Sequence, residues 1–279
     1  AKLPENMPVE DKWVLSLYND LIKNVTSNLE AYELGIAVQN LYDFIWDIYC
    51  DWYIELTKPR IAAGGETALA AQNVLVFIMT GILKLLHPFM PFITEEIWQS
   101  MPQTESESIM ISKWCEYDEA LNFTKEKEDF SRVIETIRAI RVQRNEMNVP
   151  PSKKVTEIVE TKFADIFNNA QPFFEKLAGA GEFTVVDKAE NTDGMITVVT
   201  DSARVFIPMG ELIDKEKELA RLEKERKAAQ KDIDFLSGKL NNEGFLAKAP
   251  AQQIENERAK LAKAEEKMRK ILESIEGLK

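Results

Sequence analysis

The 279-residue chain has one histidine, His87, and two cysteines, Cys50 and Cys115. So few soft ligands, so far apart, offer no zinc site and no Cys–His catalytic pair. Two distant cysteines suit a reducing compartment with both thiols buried or inert, so a cytoplasmic location is expected. None of the 11 glycines forms a Gly-rich phosphate loop. No apolar run of about twenty residues is evident, and no membrane-spanning helix is expected. Ala1-Lys2-Leu3-Pro4 is not a signal peptide and lacks an initiator Met, which suggests a piece of something longer. Acids are plentiful but lie on helix surfaces without converging. No catalytic residue, metal ligand or cofactor is therefore assigned within the chain.

The net charge of −12 argues against bulk affinity for nucleic acid, but it is unevenly spread. Of 47 acids and 35 bases, 15 and 16 fall in residues 211–279. The first 210 residues thus hold the whole acidic excess, and the tail is neutral to slightly basic.

That tail, 210–279, reads as an antiparallel coiled-coil hairpin. Its first arm carries Leu212, Leu219, Arg226, Ile233 and Leu240 at heptad a, with Leu222, Ala229 and Leu236 at d. Its second arm carries Ile254, Leu261, Met268 and Ile275 at a, with Ala264, Ile271 and Leu278 at d. Facing residues sum to 490, so Leu219 meets Ile271, Leu222 meets Met268, Ala229 meets Leu261, and Arg226 falls opposite Ala264. A strict seven-residue repeat specifies a two-stranded seam. Gly244 and Pro250 mark the turn. Glu225 should face Lys267, and Asp232 should face Lys260. Lys217, Arg221, Lys224, Lys227 and Lys231 line the outward face, and Lys239, Phe245 and Lys248 lie near the tip. Such a stripe can contact phosphate, or it can be an ordinary solvated surface.

Residues 1–150 read as a helical bundle. Helices are expected over Val9–Tyr32, Leu34–Leu56, Glu66–Leu86 and Lys125–Met147. The second carries two apolar stripes. One is Leu34, Val38, Leu41, Ile45, Ile48, Trp52 and Leu56, and the other is Tyr42, Trp46, Tyr49 and Tyr53. It is expected to be the central helix, ended at Thr57-Lys58-Pro59-Arg60. Its aromatics would pack the core or, alternatively, stack bases. His87 fits a structural or capping role, and Ser108–Trp114 looks strand-like. In the last helix the aliphatic face Phe130, Val133, Ile134, Ile137 and Ile140 continues as Arg141 and Arg144, with Arg138 alongside. Pro150-Pro151 then breaks the chain. Residues 151–209 alternate like a small α/β linker module, with strands at Lys154–Glu160, Glu182–Asp187, Met195–Thr200 and Ala203–Pro208. The expected class is mainly α.

The run Leu85-Leu86-His87-Pro88-Phe89-Met90-Pro91-Phe92-Ile93-Thr94-Glu95-Glu96-Ile97-Trp98 resembles the anticodon-binding helical domain of class I aminoacyl-tRNA synthetases. Tyr42-Asp43-Phe44-Ile45-Trp46 with Cys50-Asp51-Trp52-Tyr53-Ile54-Glu55 points the same way. Residues 137–154, from Ile137-Arg138-Ala139-Ile140-Arg141 to Ser152-Lys153-Lys154, narrow the resemblance to the valyl-tRNA synthetase family. So does the hairpin with Asn242-Glu243-Gly244-Phe245-Leu246-Ala247-Lys248-Ala249-Pro250. The His-Ile-Gly-His and Lys-Met-Ser-Lys-Ser signatures of that class do not occur here.

The resemblance implies the C-terminal portion of such an enzyme, without its aminoacylation and editing parts. The intact enzyme would use ATP and magnesium to load valine onto tRNA(Val). The chain's partners would be that tRNA and the catalytic and editing domains of the same polypeptide, and the protein would be monomeric, with no membrane. Lys58, Arg60, Arg138, Arg141, Arg144 and Asn145 would lie near the anticodon stem-loop, unless the bundle's acids pair with the arginines. The arm's Lys217, Arg221, Lys224, Lys227, Lys231, Lys239, Phe245 and Lys248 would meet the outer corner of the tRNA. The other readings are a free-standing helical scaffold that dimerises through its coiled coil and an RNA-binding paralogue that never had a catalytic part.

Overall fold

The computed structural model describes residues 3–101, 105–212, 215–242 and 251–278; the side chains of 215–221, 251, 273–274 and 277–278 are outside the description. The protein is mainly α, with one small mixed sheet.

Helix α1 (Val9–Glu30) starts at Pro8, whose carbonyl accepts from the Asp11 and Lys12 N–H groups. Glu10 and Asp11 place negative charge in its first turn, where the helix dipole favours it. Val14, Leu21 and Val25 are buried, and so are Trp13, Leu15, Tyr18 and Ile22. Helix α1 packs against α2 (Leu34–Asp43), α4 (Gly65–Leu86) and α6 (Thr124–Glu146). It is the central helix.

The second helix was expected in that role and does not fill it. It runs from α2 through a π-helical stretch (Phe44–Tyr53) into α3 (Ile54–Ala63). Ala37, Leu41, Phe44, Tyr49, Trp52, Tyr53 and Leu56 face the core, while Leu34, Val38, Tyr42 and Trp46 are exposed. Both faces of this stretch are apolar, so periodicity alone cannot choose the inner one. The i→i+5 bonding then widens the turn, bringing Trp52 and Tyr53 inward together.

Pro59 does not end the helix. It lacks an N–H, which leaves the Glu55 carbonyl without its helical donor. Lys176 Nζ donates to that carbonyl at 2.9 Å. The helix continues to Ala63 and stops at Gly64, whose φ of +74° is left-handed.

Helix α4 has the length and mean hydropathy, 1.8, of a membrane span, contrary to the sequence expectation. Its apolar residues serve the bundle instead: Ala68, Ala71, Val74, Ile78, Ile82 and Leu85 are buried. Gly81 is required there, because a Cβ would lie 1.5 Å from the Tyr18 hydroxyl oxygen. His87 follows α4 and meets Thr94 Oγ1 of α5 (Pro91–Ser100) at 2.7 Å. The strand-like run forms a 3₁₀ turn, Ile109–Ile111, held when Ser108 Oγ accepts the Met110 N–H. Both cysteines are half-buried and free, and burial pushes each thiol up, away from reactive thiolate.

Beyond α6 lie β1 (Val155–Thr161), α7 (Ala164–Asn169), α8 (Gln171–Phe173) with a π turn (Phe174–Ala178), β2 (Ala180–Val186), β3 (Met195–Val199) and β4 (Ala203–Pro208). The sheet order is β2-β1-β4-β3, with β1 and β2 parallel and the other pairs antiparallel. One apolar cluster runs from Trp13 and Val14 through Ile137 and Ile140 to Val159, Phe167, Phe174 and Val205. Bundle and sheet module thus share a core.

Helix α9 (Met209–Leu212) leads towards the hairpin, whose arms are α10 (Lys215–Leu240) and α11 (Ala251–Leu278). The two pack against each other within one chain. Leu222, Ala229, Met268 and Ile271 form their seam, with Ile233 and Ile275 against it. Leu222 and Met268 share this cluster, as the register requires. The side chains of Leu219 and Leu278 lie outside the described ones. Arg226 is not a core residue: it is exposed and pairs with Glu223 at 2.5 Å. Its long stem can carry the charge out of a narrow seam, so an a position does not bury it. Lys260 pairs with Glu257 of its own helix, at 3.1 Å, rather than with Asp232.

Candidate nucleic-acid interface

The end of α6 meets the π-helical stretch and the sheet module around a cleft of about 830 Å³. Asp47, Asp51, Trp52 and Glu55 line one wall, Arg138, Arg141, Val142, Arg144 and Asn145 another, and Lys176 to Gly179 the third. The Arg138 and Arg141 guanidiniums lie over the Trp52 ring, 5.8 and 5.5 Å from its centre. Their i, i+3 spacing on α6 sets them side by side, and the indole holds both by cation–π attraction. Both are exposed, and neither forms an ion pair with a described residue. The bundle's acids therefore do not neutralise them, though three carboxylates stand across the cleft. Asn145 is exposed beside them. Such a wall presents paired forks to phosphate and an edge for a splayed base.

Arg144 departs from the expectation. It is only 5% exposed. Its Nη2 donates to the carbonyls of Pro150, at 3.1 Å, and Lys153, at 2.6 Å. The guanidinium lies against Gly179, where a Cβ would sit 2.9 Å from Nη1. Arg144 is thus a strut joining α6 to the module. Among the described residues its Nη1 has no hydrogen-bond partner, nor has either carboxylate oxygen of Glu157, a fully buried residue on β1. Burial pushes the Glu157 carboxyl up to about 8, against the pull of Arg144 and Lys154. At neutral pH it is mostly the uncharged acid, which a buried site tolerates.

Arg60 also departs. It grips Asp11 with both terminal nitrogens, at 2.6 and 3.0 Å, and reaches Glu10 at 3.2 Å. Tyr53 donates to the same Asp11 at 2.8 Å. Burial first, then Asp11, pushes the Tyr53 hydroxyl up. Breaking so buried a pair costs about 3–5 kcal/mol, so Arg60 holds the bundle together and is not free for RNA. Lys58 is paired with Glu55. Sequence shows that Lys58 and Arg60 are basic and near a helix end, but not that Asp11 lies across the bundle.

On the arm, Lys224, Lys227 and Lys231 are exposed and form no ion pair with a described residue. Lys239 is half-buried and pairs with Glu257 at 3.3 Å across the hairpin. Lys217, Arg221, Phe245 and Lys248 fall outside the described side chains. Reading the sequence missed Glu257, which occupies a d position and is only 6% exposed. Bonds from Lys260 and Lys239 hold its carboxyl below the usual range. It also missed Trp52 and Lys176 as cleft residues. The i, i+3 arginine pair was a signal for the first; Lys176 left none.

Residues 11–160 match the family model described as the anticodon-binding domain of tRNA ligase. Residues 214–279 match that of the valyl tRNA synthetase tRNA binding arm. The chain is similar to the valine–tRNA ligase of Clostridium perfringens, 46% identical over 272 residues, which cover 96% of this chain and 31% of that protein. It is 44% identical to that of Clostridium tetani over 97% of this chain and 31% of that protein. It is 41% identical to that of Listeria innocua, with the same shares covered. The chain thus spans about 31% of the length of these relatives.

Proposed function

Because the chain belongs to the family of anticodon-binding domains of tRNA ligases, we propose that it is the tRNA-gripping C-terminal part of a valine–tRNA ligase, and that its tRNA is tRNA(Val). The bundle meets the anticodon stem-loop at the Arg138, Arg141 and Asn145 wall. The hairpin meets the outer corner of the tRNA through Lys224, Lys227 and Lys231. The rest of the polypeptide activates valine with ATP and magnesium. Within that enzyme this chain contributes grip and orientation. The whole protein works as a monomer in the cytoplasm.

The carrying observation is the pair of unneutralised arginines on Trp52. An anionic body of this kind repels RNA except where cations are left outside its ion pairs. The arginine pair is such a place, and the outward lysines of α10 are another. The family match supports the identity of the ligand class, and the high identity to valine–tRNA ligases supports valine. The scaffold reading is disfavoured because α10 and α11 satisfy their seam within one chain.

The test is titration of the protein with valine, isoleucine and alanine tRNAs, with R138A/R141A alongside. Preference for the valine tRNA, and weaker binding by the variant, is the expected result. Equal binding of all three would defeat the specificity, and unchanged affinity of the variant would defeat the site. Sedimentation checks the monomer.

A further inference from the structure

Helix α2 leaves a ridge uncovered. Leu34, Val38, Tyr42 and Trp46 are 52, 41, 57 and 54% exposed. They follow one another at i+4, and the Tyr42 and Trp46 rings touch, with centres 6.4 Å apart. A straight i+4 ridge of large apolar side chains is what a second helix receives into its groove. Four consecutive positions of this kind are more than the scattered apolar residues of an ordinary surface.

The charge around the ridge selects among occupants. From residue 24 to 57 the chain has no lysine or arginine, while Glu30, Glu33 and Asp43 lie in it, and Asp47, Asp51 and Glu55 line the arginine cleft. A stacking platform for RNA needs cations to hold the backbone beside the rings. The ridge's own stretch of chain brings only anions, so its aromatics do not serve RNA. It suits an amphipathic helix whose apolar stripe is flanked by basic residues. A source is at hand: about two thirds of the length of the similar ligases lies outside this chain.

We infer that the Leu34–Trp46 ridge is an internal docking face, covered in the longer polypeptide by an amphipathic, basic-flanked helix from outside these 279 residues. The inference rests on the reading of this chain as part of a larger ligase, but not on the Arg138 and Arg141 site. The bundle's position relative to the rest of the enzyme is set here, on the acidic side, while tRNA is held elsewhere.

The test uses the full-length polypeptide with a photoreactive benzophenone amino acid at position 42 or, separately, 46. After irradiation, digestion and mass spectrometry, the expected product is an intramolecular cross-link to a helical peptide outside these 279 residues, formed with or without tRNA. Cross-links to tRNA, cross-links between isotopically distinct copies, or no adduct at either position would each overturn it. As a second measure, Trp46→Glu in the full-length protein should lower Tm by several degrees and expose the junction to limited proteolysis. Val199→Glu, at a similarly exposed position on β3, should do neither. Equal behaviour of the two variants would overturn the docking face. A normal R138A/R141A defect in tRNA binding beside a failed cross-link would reject this face and keep the proposed function.

Discussion

In the proposed function the body and the arm solve the same problem, gripping a polyanion, with opposite means. The body has a deep shared core, from Trp13 to Val205, and the whole acidic excess. Its candidate site sets two arginines side by side on one indole. The arm has a seam of Leu222, Ala229, Met268 and Ile271, little else to bury, and exposed lysines in excess of what its pairs consume. A rigid site can discriminate by geometry. A thin basic lever can add affinity without reading bases, since phosphate contact carries no sequence information. The comparison predicts that stability and selectivity reside in the body, while salt-sensitive affinity resides in the arm.

The largest effect should come from attacking the seam. Ile271→Asp places an unpaired carboxylate in a cluster of four buried side chains, 6% exposed at that position. The cost, on the order of 3 kcal/mol or more, exceeds what so narrow a core can absorb. The arm should lose its helical circular dichroism while the body keeps its melting transition. A body that melts with the arm would break the comparison, by showing one cooperative unit.

The second effect is in the body and depends on pH. Glu157 has its carboxyl raised to about 8 by burial. A group raised on folding binds protons more tightly in the folded state. Its contribution is therefore full below the unfolded value near 4.5 and is lost as pH rises through about 8. Glu157→Gln keeps the shape of the neutral acid and removes the titration. It should leave Tm nearly unchanged at pH 5 and raise it at pH 9, by an amount equivalent to roughly 1–4 kcal/mol. Parallel Tm curves for the two proteins from pH 5 to 9 would mean that Glu157 titrates normally.

These two predictions also separate what the sequence makes legible from what it hides. The hairpin, the four strands and most helix boundaries follow from periodicity and turn residues, because each depends on neighbours a few positions apart. The inner face of α2 was hidden, since Leu34/Val38/Trp46 and Ala37/Leu41/Phe44 are equally apolar. So was the run past Pro59, which depends on Lys176 reaching the Glu55 carbonyl from far along the chain. The same limit divides the candidate site. Arg138 and Arg141 stand on an exposed helix face and could be named. Arg60 and Arg144 have the same composition around them, yet Asp11 in one case and the Pro150 and Lys153 carbonyls in the other remove them from the surface. Charge is visible in a sequence, but the partner that consumes it is not.

The third effect sharpens the selectivity half of the comparison. R138A/R141A removes two fixed guanidiniums without touching the Arg144 strut or the Arg60 clamp. tRNA affinity should fall about tenfold, the scale of two charge-assisted contacts discounted for solvent. The preference for one tRNA over another should shrink with it. Loss of affinity with selectivity intact would make the pair a mere phosphate anchor.

The smallest effect belongs to the arm's lysines taken in threes. Lys224, Lys227 and Lys231 lie on the outward face of α10 with no ion pair to a described residue. Replacing all three with Ala should weaken binding only a few-fold near physiological salt, where exposed charges are screened. The better readout is the slope of log affinity against log salt. It should flatten by up to about 0.9 for each phosphate no longer neutralised, and equally for cognate and non-cognate tRNA. R138A/R141A should also flatten the slope, but unequally between the two tRNAs. If the lysine variant changed selectivity as well, the arm would be reading the tRNA rather than only holding it, and the division between fixed reader and screened grip would fail at the arm.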